Sequence, residues 1–497
     1  MTNDKGLSGV ALKDFLSDQT QSYNIGDFDL LSGFRWYSRA TTAADISGHA
    51  SRRIKLRVPL ITAPMPDVTD AHVAISAARH GALGIIPATH VPEEQAEIVR
   101  HVKKAEGGFI EQPFILRPDD KIATALDAPY SNIPVVENDS LIGMFFHERY
   151  GTLYYNSNRE SPISEAMVRG SHLAVSVEDV HVAGELNFSR ARELMEQRRL
   201  PALAVLGWFR ELKYLVTMKD VSAREYYPLA SRDSAGQLLV GAAIMEYMTD
   251  ENKERIRLLA DARVDVLVIY QAHGWNVDMG DMTKYLKREY PHIDVVSGND
   301  SNGGAVWFHY RNGVDGVNVG QGPGYLCLTG EEDNVGVWRP QLSAVFDCAK
   351  EANEIFKTDG VFLPCIADGG NGTAYDAVRA LAAGAWAVMI GTSIARTKDS
   401  PAQEVEPGKK LIRAMASPEL VQAFPDAYQR YDPTTFIPEG TARTLTITST
   451  FEEFVKRTAG LLQREFERIG ARDMEDLHAK LRRGELRAQF RHERPTK

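Results

Sequence analysis

The stretch "FLPCIADGGNGTAYDAVRALAAGAWAVMIGTS", Phe362 to Ser393, decides the fold. Two short apolar runs, "FLPCIADGG" (362–370) and "WAVMIGTS" (386–393), flank "TAYDAVRALAAGA", where apolar residues recur at helical spacing. A continuous apolar run of this length reads as a strand covered on both faces, the habit of parallel sheets. The same run recurs outward from here, as "VPLITAPM" (58–65), "ALGIIPA" (82–88), "LLVGAAI" (238–244), "DVLVIY" (265–270), "DVVSG" (294–298) and "GVNVG" (316–320). Segments such as "TDENKERIRLLADARV" and "GDMTKYLKREYP" carry helical spacing between them. Eight such strands, most followed by a helix, predict an α/β chain folded as a (β/α)8 TIM barrel, with a doubly wound sheet as runner-up.

One gap breaks the rhythm. Strands two and three stand roughly 150 residues apart, far beyond an ordinary connection. An inserted domain over 109–222 accounts for it, leaving 1–108 and 223–497 as the two parts of the barrel. Two stretches inside it echo each other: "IEQPFILRPDDKIATAL…IPVVENDSLIGMFFHERY" and "SHLAVSVEDVHVAGELNF…LPALAVLGWFRELKYLVTMKDV". Each reads as a short strand, an amphipathic helix and a hairpin-like apolar pair. The arrangement resembles a tandem cystathionine-β-synthase-type (CBS) pair, or Bateman module; a plain structural insertion is the alternative. The resemblance implies regulation by an adenine or guanine nucleotide, with ribose or phosphate contacts at Thr217 and Asp220.

The bulk composition narrows the function. The 497 residues are 25% charged and 43% hydrophobic, an ordinary globular balance. A formal net charge of −10 argues against a general binder of nucleic acid or membrane surfaces. Three cysteines, Cys327, Cys348 and Cys365, cannot build a disulfide framework, so a reducing compartment is expected. "MTNDKGLSGVALKDFLSDQT" has neither a basic nor an apolar leader region, and no apolar run approaches membrane-spanning length. A soluble, cytoplasmic protein is expected.

In this barrel chemistry gathers at the C-terminal strand ends, and phosphate is commonly held after strands seven and eight. Those ends are "ADGGNGT" and "IGTS". Glycines let backbone N–H groups approach an anion, so Gly369, Gly370, Gly391 and Thr392 form a candidate phosphate cradle. Asp368, just ahead of it, is placed to accept from sugar hydroxyls.

The stretch "VNVGQGPGYLCLTGEED", Val317 to Asp333, carries the third feature. It is not a dinucleotide fingerprint, because Tyr325 stands where the third glycine belongs and Pro323 spoils a helix start. Its glycines instead expose main chain around Cys327. An isolated cysteine in such a loop suits a nucleophile, which must be reachable as the thiolate. Cys348 and Cys365 lie in apolar context and read as small buried hydrophobes.

"VPLITAPMPDVT", "GVDGVNVGQGPGYLCLT", "WRPQLSAV", "IADGG", "AWAVMIGTS", "QRYD…IPEG" and "IGARDMEDL" resemble, in that order, the inosine-5′-monophosphate (IMP) dehydrogenase and GMP reductase family, closest to the dehydrogenases. The resemblance implies NAD-dependent oxidation of IMP to xanthosine monophosphate in guanine nucleotide biosynthesis, by a cytoplasmic homotetramer. It makes Cys327 the nucleophile that attacks C2 of the purine. It places a potassium ion on the carbonyls of Gly322, Gly324 and Cys327. It assigns water activation to Arg430 and Tyr431, with Thr329 and Glu439 as an alternative proton relay. Asn299 and Met415 fall among the substrate contacts, and His273 and Gly320 at the cofactor.

Several positions depart from the family pattern. "YQAHGW" places His273 where an aspartate contacts the nicotinamide ribose. Tyr325 replaces a phosphate-binding serine, and Ala63 another serine. Ile412, Ala414 and Ala416 surround Met415, with Arg413 left to supply charge. "RGELRAQFRHERPTK" lacks the glutamate-glycine-glycine that completes the potassium site from a neighbour, and its basic residues read as a solvated tail. A GMP reductase, or a family member repurposed for another purine nucleotide, is the alternative, although reductases lack the Arg–Tyr pair. A non-catalytic nucleotide sensor is a third reading, opposed by Cys327 and that pair.

Overall fold

The computed structural model describes residues 9–18, 21–38, 42–149, 157–182, 185–331, 334–425 and 436–490. It divides into two compact units, one built from the segments up to Lys103, 229–231 and from Leu238 onward, the other from 104–228 and 232–237.

The first unit is a closed barrel of eight parallel strands. They are β1 (Leu60–Thr62), β2 (Leu83–Ile86), β3 (Val240–Ile244), β4 (Val266–Tyr270), β5 (Asp294–Asp300), β6 (Gly316–Val319), β7 (Cys365–Asp368) and β8 (Ala387–Ile390). Each overlaps one of the apolar runs read from the sequence. Strand β8 pairs with β1 through Val388 and Leu60, and β2 pairs with β3 through Gly84 and Val240, so the barrel has no edge. Strands β1, β2, β3, β6, β7 and β8 are buried along their whole length. That double covering is why they read as continuous apolar runs.

Helices follow the strands because the loops supply caps. Side chains of Asp70, Thr249, Asn276, Asn302, Thr373 and Thr450 each accept from a backbone N–H in the first turn of the helix they open. Each such cap contributes about 1 kcal/mol. Gly313, Gly360 and Gly470 end three helices in the left-handed conformation.

The segment read as a solvated C-terminal tail is structured in part. Arg487–Phe490 forms a strand between Val10–Ala11 and Phe28–Leu30, antiparallel to both. Phe490 stacks on Phe28 at 4.9 Å between ring centroids. The short "RAQF" stretch is held by backbone pairing and one aromatic ring, which charge-rich flanks conceal in the sequence.

The second unit holds two separate apolar cores, one around Ile122, Val135 and Phe145, the other around Phe109, Val175, Leu203 and Val216. Its two halves share one order of elements. In the first, Leu116 bridges Val135 in parallel, helix Ile122–Asp127 follows, and Asn132–Glu137 pairs with Ser140–Phe146 as a hairpin. In the second, Ala174–Ser176 pairs in parallel with Ala204–Leu206, helix Phe188–Arg198 intervenes, and Ala202–Leu206 pairs with Leu212–Thr217. Thr217 caps helix Met218–Tyr226, and its hydroxyl donates to Asp220 Oδ2 at 2.5 Å. Asp220 is buried and also accepts from the Gly107 amide at 2.8 Å.

Candidate active site

Asp368 ends β7, and three donors from three other strands converge on it. Tyr270 Oη at the end of β4 donates to Asp368 Oδ2 at 2.9 Å. Asn299 Nδ2 of β5 donates to the same oxygen at 2.7 Å, and Asn318 Nδ2 of β6 at 3.0 Å. Asn318 Nδ2 also donates to Asn299 Oδ1 at 2.7 Å, tying the two amides together. Burial raises the Asp368 pKa against the lowering effect of those three bonds. Burial also raises the Tyr270 hydroxyl well above its ordinary range, and Asp368 and the Cys327 thiol add to the effect. Tyr270 therefore lies within electrostatic reach of Cys327. Of the four side chains in the Asp368 cluster only Asp368 and Asn299 stand out in the sequence, because Tyr270 and Asn318 hide inside apolar runs.

The cysteine loop is clamped beside this carboxylate. Gly320 is buried, and its amide donates to the Asp300 carbonyl at 2.7 Å. A β-carbon there would lie 2.0 Å from the Asp368 carbonyl, so Gly320 makes room for the chain. Gln341 Nε2 donates to the carbonyls of Val319 (2.7 Å) and Asp368 (3.0 Å), joining β6 to β7 beneath the loop. Gly369, at φ +87°, would place a β-carbon 2.7 Å from Pro323 Cγ. Gly370, at φ +74°, faces the same proline. The candidate phosphate cradle and the cysteine loop are thus in van der Waals contact, at positions where only glycine fits without strain.

A late segment of the chain covers the other side of the loop. Cys327 bridges Gly440 in antiparallel register. The Leu328 amide donates to the Glu439 carbonyl (2.9 Å), and the Thr441 amide to the Leu326 carbonyl (3.0 Å). The Ala414 amide in turn donates to the Thr441 carbonyl at 3.1 Å, which brings the half-buried Met415 alongside. Glu439 and Thr329 therefore lie one residue from the bridge and two residues from the nucleophile, respectively. Arg430 and Tyr431 lie outside the described residues.

Gly391 and Thr392 open the short helix Thr392–Ala395 after β8, and Ser393 Oγ donates to the Gly372 carbonyl at 2.7 Å. That bond joins the two halves of the cradle. His273 is exposed beyond β4, with Nδ1 3.3 Å from Gln321 Nε2. Gln321 also donates to the Ala272 carbonyl at 3.1 Å and accepts from Ser301 Oγ at 2.6 Å, so the cysteine loop and the His273 loop are linked. Tyr325 is exposed, with the Arg443 guanidinium 5.3 Å from its ring centroid. Arg413, expected to supply charge to a phosphate, is instead committed to Asp67.

Behind the site runs a fully buried chain of polar side chains. Ser297 Oγ lies 2.8 Å from His309 Nδ1, and His309 Nε2 lies 2.6 Å from Asp300 Oδ2. It stiffens the end of β5, where Asn299 sits.

The main-chain oxygens of the cysteine loop suit a large monovalent cation. The Cys327 amide donates to the Gly324 carbonyl at 3.0 Å. Among the described residues no hydrogen bond claims the carbonyls of Gly322 or Cys327. Carbonyl oxygens can replace part of such an ion's hydration shell without needing charged ligands. Among the described residues no cluster of three or more His, Cys, Asp or Glu is placed to hold a metal ion. Cys348 and Cys365 are buried.

A cavity of about 690 Å3 lies at the opposite, N-terminal ends of β7 and β8, lined by His49, Phe362, Trp386 and His478. It shares no residue with the strand ends described above.

The chain matches the IMP dehydrogenase / GMP reductase domain over residues 27–493. It is 33% identical over 447 residues to the inosine-5′-monophosphate dehydrogenase of Aquifex aeolicus (strain VF5), covering 88% of this chain and 87% of that one. Identity is also 33% over 444 residues to the Bacillus subtilis (strain 168) inosine-5′-monophosphate dehydrogenase, covering 87% of each. In structure it is similar to a cysteine-to-alanine variant of GMP reductase from Trypanosoma brucei in complex with guanosine 5′-monophosphate, with a TM-score of 0.79 and 27% identity, covering 95% of this chain and 96% of that one. The chain belongs to the IMP dehydrogenase / GMP reductase family, whose members are oxidoreductases.

Proposed function

We propose that the protein is an IMP dehydrogenase, oxidising IMP to xanthosine monophosphate with NAD⁺. The observation that carries this reading is the pairing of the Cys327 loop with Glu439–Thr441. It sets Glu439 and Gly440, the end of the "QRYDPTTFIPEG" stretch, beside the nucleophile, and Arg430 and Tyr431 belong to the same stretch of sequence. A hydrolytic pair is needed only by an enzyme that must break a thioimidate. The relatives named inosine-5′-monophosphate dehydrogenase support the same reading.

The residues divide the work. Asp368 and Asn299 hold the nucleotide's ribose, and Gly369, Gly370, Gly391 and Thr392 its phosphate, with Met415 against the base. The Cys327 thiolate adds to C2 of IMP, and the C2 hydride passes to NAD⁺, supported at His273, with Gly320 shaping the turn beneath. The resulting thioimidate takes up water, Cys327 leaves as thiolate, and xanthosine monophosphate is released. The sum is IMP + NAD⁺ + H₂O giving xanthosine monophosphate + NADH + H⁺. Arg430 and Tyr431 activate the water, with Thr329 and Glu439 as the alternative relay. The carbonyls of Gly322, Gly324 and Cys327 would hold a potassium ion, which would order the loop. The second unit is a tandem CBS module that binds an adenine or guanine nucleotide, and the working form is a cytoplasmic homotetramer.

Likeness to a GMP reductase structure favours a second reading, reductive deamination in which GMP, NADPH and two protons give IMP, NADP⁺ and ammonium. Absorbance at the reduced-nicotinamide band decides between them, with IMP plus NAD⁺ in one cuvette and GMP plus NADPH in the other. Signal in the first alone is expected. Signal in the second alone overturns the dehydrogenase reading, and silence in both points to a repurposed enzyme or a sensor. Arg430→Ala should leave a burst of NADH followed by a stalled adduct on Cys327.

A further inference from the structure

We infer that Tyr270 and Asn318 are positioning residues that set recognition of the ribose hydroxyls by holding Asp368 in one orientation. The inference rests on the reading of the substrate as a purine ribonucleotide. All three side-chain donors, Tyr270, Asn299 and Asn318, reach the same oxygen, Oδ2, at 2.7–3.0 Å. Among the described residues no hydrogen bond is made to Oδ1. A carboxylate gripped on one oxygen by three strands cannot rotate, so its second oxygen keeps a fixed direction for an incoming donor pair. Ribose offers such a pair in its 2′ and 3′ hydroxyls.

Among the described residues neither donor reaches an acceptor outside the cluster of Asp368, Asn299, Tyr270 and Asn318. The Tyr270 hydroxyl has one proton and gives it to Asp368, and Asn318 Nδ2 spends both its contacts within the cluster. Among the described residues Asn318 Oδ1 is buried without a partner. That orientation is therefore fixed by the need to turn the amide nitrogen, not the oxygen, toward the carboxylate. Neither side chain need touch the nucleotide. Their effect passes through Asp368 alone.

This indirect role makes a specific prediction: substitution should weaken recognition of the hydroxyls more than recognition of the rest of the nucleotide. The test is calorimetric titration of the full chain with IMP and with 2′,3′-dideoxyinosine 5′-monophosphate. Wild type is expected to prefer IMP by about tenfold or more, the scale of hydrogen bonds to a charged group. Tyr270→Phe keeps the ring and removes only the hydroxyl, and Asn318→Asp keeps the shape but sets a second carboxylate against the first. In both variants the preference should collapse toward unity while dideoxynucleotide affinity holds within about twofold. A preference unchanged in both variants, or equal losses for the two nucleotides, overturns the inference and leaves the proposed function standing. Wild-type binding of neither IMP nor GMP overturns the substrate reading itself, and this inference with it.

Discussion

Arg413 and Asp67 form a two-point ion pair, with Nε to Oδ2 at 2.9 Å and Nη2 to Oδ1 at 2.5 Å. The Arg413 amide adds a third bond to Oδ2 at 2.8 Å. Asp67 is buried in the loop after β1, and Arg413 ends the strand Lys409–Arg413 that leads to Met415. The pair therefore anchors the Met415 segment to the barrel. Asp67→Ala leaves the guanidinium and one backbone N–H without their acceptor, and breaking a buried pair this way costs about 3–5 kcal/mol. A lower thermal midpoint is expected, together with faster amide exchange over 409–415. Arg413→Lys should also destabilise, because an ammonium cannot reproduce the two-point fork. An unchanged melting curve for Asp67→Ala would remove this anchor from the account.

The contact between the cradle and the cysteine loop is tested at Gly369. Its φ of +87° lies in the left-handed region, and an added β-carbon would meet Pro323 Cγ at 2.7 Å and the Gly324 nitrogen at 3.1 Å. Gly369→Ala must shift the loop that carries Cys327. Turnover should fall by about tenfold or more, the scale of a small misplacement at a reacting centre, with nucleotide affinity falling as well. Gly408 also has positive φ but has nothing within 4 Å of its β-position. Gly408→Ala is the control for backbone strain alone, and activity losses of equal size in the two variants would sink the packing argument.

The three thiols should separate cleanly under alkylation. Burial pushes the Cys365 thiol up to about 12, and Cys348, buried beside it, well above its ordinary range. Only a thiolate reacts, so both are inert near neutral pH. Iodoacetamide mapped by mass spectrometry should modify Cys327 first, and Cys327→Ser should abolish the fast phase. Early labelling at Cys348 or Cys365 in folded protein would contradict the burial described above.

The raised pKa of Asp368 sets a pH limit on nucleotide binding. If the carboxylate form takes the ribose hydroxyls, binding is complete above its folded pKa and weakens as pH falls through it. That limb should lie above the ordinary aspartate value of about 4. Tyr270 from β4, Asn299 from β5 and Asn318 from β6 all face the carboxylate and favour its charged form. Tyr270→Phe removes one of them, so the limb should move to still higher pH. IMP affinity measured across an acid series checks both statements, and a limb at the ordinary value that ignores the substitution would refute them.

Much of this molecule was legible from residue order alone. The barrel strands announce themselves because covering on both faces demands apolar residues at every position, and the glycines after β7 mark a place where backbone must come close to something. Cys327 stood out because three glycines and a proline crowd the five positions 320–324 just ahead of it. What sequence reading missed depends on contacts between distant residues. Tyr270 and Asn318 reach Asp368 across 98 and 50 positions, and both sit in strands whose apolar neighbours mask them. Arg413 looked free to meet a phosphate because its partner Asp67 lies 346 positions earlier. Strand Arg487–Phe490 was hidden because its partners supply pairing through backbone, which side-chain pattern does not report.

The small sheet formed by Val10–Ala11, Phe28–Leu30 and Arg487–Phe490 has a consequence for the order in which the molecule assembles. Its central strand leaves a ribosome long after the strands it pairs with, 478 positions later in the case of Val10 and Ala488. Pairings of such separation form slowly, because a long loop must close before any contact rewards it. Phe15, Tyr23 and Phe28 pack against Phe490 in the folded protein and have no such cover until synthesis has passed Phe490. Nascent chains stalled before Arg487 should therefore expose this aromatic cluster to chaperones or to aggregation. Ribosome-bound chains released after Phe490 should lose that exposure in a single step.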